Sequence, residues 1–121
     1  MANIRIQRIN SEIQRNLSEI LGRLKNPAIT AMISVTRVET SNDLKHCKIW
    51  LSFYGSKEQR DSSYQAVLRS AGFIRRELAA AIKDIRVIPE LHFLYDESQE
   101  YSQKINEIIE QINTGKNNDQ S

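Results

Sequence analysis

The chain has 121 residues, 40% of them hydrophobic and 26% charged, which suits one domain with its own core. No stretch approaches the roughly 20 consecutive apolar residues of a membrane span, and Met1-Ala2-Asn3-Ile4-Arg5 opens no apolar leader, so neither a membrane protein nor an exported one is expected. A single cysteine, Cys47, excludes an internal disulfide and points to the cytoplasm.

The formal net charge of +2 conceals a division along the chain. Residues 1–89 hold 15 Lys and Arg against 8 Asp and Glu, a net +7, whereas residues 90–121 hold 2 against 7, a net −5. A basic body with an acidic C-terminal segment suits a surface that meets nucleic acid and an end that faces away from it.

From Ile4 to Leu24 the apolar residues Ile6, Ile9, Ile13, Leu17, Ile20, Leu21 and Leu24 recur at three- and four-residue steps, the stripe of an amphipathic helix that Asn26-Pro27 ends. Its polar side alternates in sign through Arg8, Glu12, Arg15, Glu19 and Arg23, so these charges can satisfy one another. Arg5 and Arg8, near the free end, are the better phosphate ligands. Met32 to Thr40 is rich in β-branched residues, and Cys47 to Tyr54 alternates Cys47, Ile49, Leu51 and Phe53 with Lys48, Trp50, Ser52 and Tyr54. Two strands follow, joined through Ser41-Asn42-Asp43 as an antiparallel hairpin with a loop of several residues. Trp50 and Tyr54 fall beside Lys48 on the face away from the core, where they either stack on bases or cover the sheet.

Gly55 to Ser63 is polar and reads as a loop into a second helix with Tyr64, Val67, Leu68 and Ala71 inside. Beyond Gly72 the apolar period resumes with Ile74, Leu78, Ala81, Ile82 and Ile85. Two short helices meeting at a glycine therefore fit better than one straight rod, since glycine within a helix costs about 1 kcal/mol against alanine. Pro89 closes this region and Leu91 to Tyr95 reads as a buried third strand. A last helix, capped by Asp96 or Ser98, would carry Tyr101, Ile105, Ile108, Ile109 and Ile112 and stop at Thr114-Gly115. Residues 1–113 then form one domain, and 114–121 a disordered tail.

The chemistry of enzymes is poorly supplied. His46, His92 and Cys47 are the whole stock of histidine and cysteine; His46 and Cys47 are neighbours on opposite strand faces, which opposes a nucleophile–base pair. No metal-ligand spacing and no glycine-rich phosphate loop occur, so no catalytic residue, metal or cofactor is expected. What remains is the Ser70-Ala71-Gly72 step, where small residues let a polyanion approach and a helix start offers its amides. Arg69, Arg75 and Arg76 surround it. Glycine there serves either that approach or close packing of the helix on the sheet.

The small-x-Gly break, followed by Arg86-Val87-Ile88-Pro89-Glu90-Leu91 and then Phe93, Tyr95 and Asp96, resembles the ribosome-binding factor A family. So do Arg5-Ile6-Gln7-Arg8-Ile9-Asn10 with Ile13-Gln14, Val35-Thr36-Arg37-Val38-Glu39 with Asp43-Leu44, and Gly72-Phe73-Ile74-Arg75, all in the family's order over about residues 4 to 112. The resemblance implies an α+β chain: a single type II KH-like domain, helix-strand-strand-helix-kink-helix-strand plus a C-terminal helix, with a three-stranded sheet packed against helices. In that family an Ala-x-Gly kink stands where RNA-binding KH domains carry a Gly-x-x-Gly loop. Ser70 stands here for the first alanine.

The domain's size, with no long apolar surface stripe left over, suits a monomer, and the lone cysteine suits the cytoplasm; the same resemblance implies a non-enzymatic factor. Its expected partners are free or immature 30S subunits and their 16S rRNA, with other assembly factors, GTPases included. It would assist late maturation, including 5′-end processing of 16S rRNA, above all in the cold. The expected RNA-binding residues are Ser70, Ala71 and Gly72 with Arg69, Arg75, Arg76, Arg37, Lys48, Arg5 and Arg8, and one basic face is expected around Gly72 with Arg69, Arg75, Arg76, Arg37 and Lys48. The competing reading is a KH-like interaction module acting through its acidic C-terminal helix without touching RNA; steep loss of affinity with salt would separate the two.

Overall fold

A computed structural model describes residues 4–83 and 85–97. Among these, three helices and a three-stranded sheet alternate as α1 (Ile4–Arg23), β1 (Met32–Thr40), β2 (His46–Tyr54), α2 (Lys57–Arg69), α3 (Ala71–Ala81) and β3 (Glu90–Tyr95). The expected α+β order holds. The expected last helix, the tail and the domain boundary between them lie outside the described residues.

The sheet order is β1-β2-β3, with β2 antiparallel to β1 and parallel to β3. β2 is thus the central strand, and Cys47, Ile49, Leu51 and Phe53 alternate from it into the core. The same cluster takes in Ile13, Leu17 and Ile20 of α1, Val67 of α2 and Ile74 and Leu78 of α3, so all three helices cover one face of the sheet. Each such fully buried aliphatic side chain contributes about 1.5–3 kcal/mol.

Polar contacts fix how α1 lies on β1. Asn10 Oδ1 accepts from Thr40 N at 3.0 Å and Thr40 Oγ1 at 2.6 Å, and Gln14 Nε2 donates to Val35 O at 2.9 Å. The strand register shifts between Val35 and Arg37, a bulge that leaves Thr36 outside the pairing. In the β1–β2 loop, Asp43 Oδ1 accepts from Ser41 Oγ at 2.6 Å and from Lys45 N at 3.0 Å. Those bonds, the hydroxyl's first, hold the Asp43 carboxyl below the ordinary aspartate range.

α2 begins earlier than its polar sequence suggests. Ser56 caps it through a reciprocal box: its hydroxyl accepts from Gln59 N at 3.2 Å, and the Gln59 side chain accepts from Ser56 N at 2.9 Å. The residues read as a loop up to Ser63 are therefore helical from Lys57 onward. Only Ser63, Ala66 and Val67 of this helix are buried, and Leu68, expected inside, is exposed. Tyr64 reaches across to the edge strand, donating from Oη to Phe93 O at 3.0 Å and meeting Phe53 and Tyr95 edge-on. α3 ends at Ala81, so Ile85 packs against the core from the connection to β3.

Ser63 is completely buried and its Oγ accepts from both Thr30 N (3.1 Å) and Ala31 N (2.9 Å). Ser63→Ala removes the acceptor of two backbone donors, so thermal or urea unfolding should show a loss of about 1–3 kcal/mol; unchanged stability would show that water replaces the hydroxyl. Burial pushes the Cys47 thiol up, with the Thr40 hydroxyl only partly opposing it. A thiol reagent at mildly alkaline pH should therefore label Cys47 at the rate of unfolding and not at that of a free thiol.

Candidate nucleic-acid interface

One residue, Ser70, joins α2 to α3. Its N–H donates to the carbonyls of Ala66 and Val67, both at 3.0 Å, and its carbonyl accepts from Ile74 N at 2.9 Å, so a single residue closes one helix and opens the next. With φ −92° and ψ 7° it lies in the bridge region, which permits the turn. The Ser70 hydroxyl makes no cap to α3, so it leaves the first-turn amides, with the positive end of the helix dipole, unsatisfied by a cap side chain.

Gly72 is the second residue of α3. A Cβ placed there would meet nothing within 4 Å, and Gly72 is not among the residues of positive φ. Among the described residues neither packing nor backbone conformation calls for glycine, so close packing on the sheet does not account for it. Ala71 packs against the core and holds the turn down. Phe73, by contrast, is 45% exposed.

Beside the kink lies the C-terminal end of α1. Arg23, Leu24, Lys25, Asn26 and Pro27 line a groove of about 450 Å³ together with Ser70 and Phe73. Arg69, the last residue of α2, is exposed next to it, and Arg76 sits on the Gly72 face one turn along α3. Two cations therefore join the kink that the sequence left out. In the sequence Arg23 belongs to a self-satisfying series of charges and Lys25 lies outside the apolar stripe; only the packing of α1 beside α3 brings them here.

The remaining basic residues lie elsewhere, and no single basic face gathers them. Arg75 turns away from the kink and donates from Nη2 to Ile88 O at 2.7 Å. It lines a separate cleft of about 790 Å³ with Arg5, Lys45 and Arg86. Arg8 is exposed on α1, one turn before Glu12. Arg37 and Lys48 alternate with buried strand residues and point to the sheet face opposite the helices, where Arg37 lies 5.0 Å over the Trp50 ring and pairs with Glu39. Lys48 stands across from Glu39 in the β1–β2 register. The ten expected residues thus divide among the kink, the cleft, α1 and the outer sheet face. Cys47 stays in the core against Thr40, so no thiol–imidazole pair forms with His46.

A family model described as "Ribosome-binding factor A" matches residues 5–109. The chain belongs to the ribosome-binding factor A family. A ribosome-binding factor A of Clostridium novyi (strain NT) is 40% identical over 120 residues, covering 98% of each chain. A solution NMR structure of a Thermotoga maritima candidate ribosome binding factor A shares 30% of residues with a TM-score of 0.68, covering 81% of this chain and 92% of that one. The ribosome binding factor A of Thermus thermophilus, a homology model fitted into a cryo-EM map of a 30S complex, shares the fold at 20% identity and a TM-score of 0.61, covering 73% of this chain and 91% of that one.

Because Gly72 faces open space among the described residues, Gly72→Ala should fold unchanged and gain about 0.5–1 kcal/mol from helix propensity, read as a raised melting temperature. A lowered melting temperature would mean that the position is filled.

Proposed function

We propose that this chain acts as a monomeric, cytoplasmic assembly factor that binds free or immature small ribosomal subunits. It assists their late maturation, including processing at the 5′ end of 16S rRNA, and it matters most in the cold, when misfolded RNA helices rearrange slowly. Family membership supports the ribosomal partner, as does the fitting of a Thermus thermophilus relative into a 30S map. The observation that carries the site is the open Gly72: a glycine that the described fold does not need, at a helix start flanked by Arg23, Lys25, Arg69 and Arg76.

The mechanism is binding without a covalent step. A phosphate of structured RNA approaches the Ser70-Ala71-Gly72 backbone, accepts from the first-turn amides of α3 and lies between the cations of the groove. Phe73 offers an apolar surface to a sugar or base beside it. Arg5 and Arg75 in the cleft, and Arg37 with Lys48 on the outer sheet face, reach other RNA segments, because no single phosphate can touch all three places. Such contacts hold one local RNA arrangement, and that is how a non-catalytic protein would favour a cleavage step carried out by a nuclease.

Co-sedimentation with free small subunits over a salt series tests this. Gly72→Glu places a carboxylate in open space, so it should leave folding intact and weaken binding. Arg23→Glu combined with Arg76→Glu should weaken binding and lower the slope of log affinity against log salt by about 1 per lost phosphate contact. Unchanged affinity in both variants would overturn the kink as the RNA-facing site.

A further inference from the structure

The chain has two histidines, 46 positions apart, and the fold brings them into contact: His46 Nδ1 lies 3.1 Å from His92 Nε2. Glu90 completes a group of three, with Oε2 3.6 Å from His46 Nδ1, and one ligand atom from each residue lies within 4.8 Å of the others. The sequence shows no metal-ligand spacing because the ligands come from two strands. The parallel β2–β3 register sets His46 opposite Glu90, and Glu90 and His92 are two residues apart on one face of β3.

We propose that His46, Glu90 and His92 form a surface site for one divalent first-row transition metal ion of the zinc class, with a fourth position open to solvent. Tetrahedral zinc with bonds of about 2.0–2.1 Å sets neighbouring ligand atoms roughly 3.3–3.4 Å apart, and the separations of 3.1 and 3.6 Å fall on either side of that value. Little has to move. The backbone under the ligands is pinned: Glu90 N donates to Lys45 O at 2.9 Å, Ser41 N to His46 O at 2.8 Å, and His46 N to Ser41 Oγ at 3.1 Å.

The donor set decides the class of ion. Two imidazoles with one carboxylate suit zinc, nickel or copper, whereas calcium takes six to eight oxygens and magnesium keeps an octahedral oxygen shell. Lys48 stands opposite His92 in the register and adds positive charge beside the site, which opposes any divalent cation, so affinity has to come from the donor set. His46 and Glu90 are exposed, so the fourth position can hold water or an incoming oxygen or nitrogen donor.

The test uses the untagged full-length chain, whose only histidines are these two. Titration with Zn²⁺ followed by calorimetry, and with Co²⁺ followed by visible absorption, should give one equivalent and the band of a low-coordinate cobalt site. His46→Gln and His92→Gln should each weaken affinity by more than the roughly 10–100-fold typical of an outer-shell change, and Glu90→Gln should weaken it measurably. Glu39→Gln, on the same sheet face and outside the site, should leave binding unchanged. Absence of one-to-one binding in the wild-type chain would overturn the site, as would unchanged affinity in both histidine variants or in Glu90→Gln. His46 is exposed, so its variant reports on binding even where His92→Gln perturbs β3.

Discussion

Alternation along β2 sends Cys47, Ile49, Leu51 and Phe53 into the core and His46, Lys48 and Trp50 out of the opposite face, and every other element takes its position from that division. A one-residue slip of this strand would reverse both sets at once, exposing the four most buried side chains of the sheet. The register is held from both sides, by the antiparallel pairing with β1 and the parallel pairing with β3. Because β3 is an edge strand of only six residues, it needs help from beyond the sheet. The Tyr64 hydroxyl bond to Phe93 O and the stacking of Tyr95 on Phe53 supply it, tying α2, β2 and β3 into one aromatic cluster.

With the helices confined to one face, the break between α2 and α3 becomes a surface feature. Ile74 and Leu78 hold α3 against the sheet, and Ala71 holds its first turn. On the helical wheel Gly72 and Arg76 then fall on the outward side, opposite Ile74 and Leu78. The positive end of the α3 dipole comes close to the C-terminal end of α1, whose partial negative charge would weaken it. Arg23 in the last turn of α1 and Lys25 just beyond offset that charge. The groove therefore joins a helix start to the cations that neutralise a neighbouring helix end, with Glu77 close by beside Arg23 and Phe73.

Much of this was legible in the sequence because the elements are strongly periodic. The α1 stripe and the alternation of β2 are each set by local patterning that tertiary packing has no reason to override, whereas the break expected at Gly72 falls two residues earlier, at Ser70, and leaves the glycine inside α3. α2 was misread at its start because its first two turns bury nothing before Ser63; without an apolar stripe, polar composition looks like a loop. The Ser56-Lys57-Glu58-Gln59 capping pattern was the signal that could have corrected it. Single-chain patterning carries no term for neighbours remote in sequence. That is why Arg23 and Lys25 at the kink, Arg75 on the Ile88 carbonyl and the His46–His92 contact emerge only from the fold.

The separation of the basic residues into several places constrains how a protein of this kind could recognise RNA. Phosphate contacts at a helix start give grip and register but no sequence information. A duplex or loop seated in one groove would be held wherever its backbone fits, so selectivity cannot reside at the kink alone. Selectivity can instead come from distance: the kink, the Arg5–Arg75 cleft and the Arg37–Lys48 face are fixed relative to one another by a single shared core. An RNA that offers phosphates to more than one of them must already hold the matching shape. A domain with dispersed charges would therefore measure the folded state of an RNA bound at more than one place, and the binding energy gained at a second place would be the energy available to stabilise that state over its competitors.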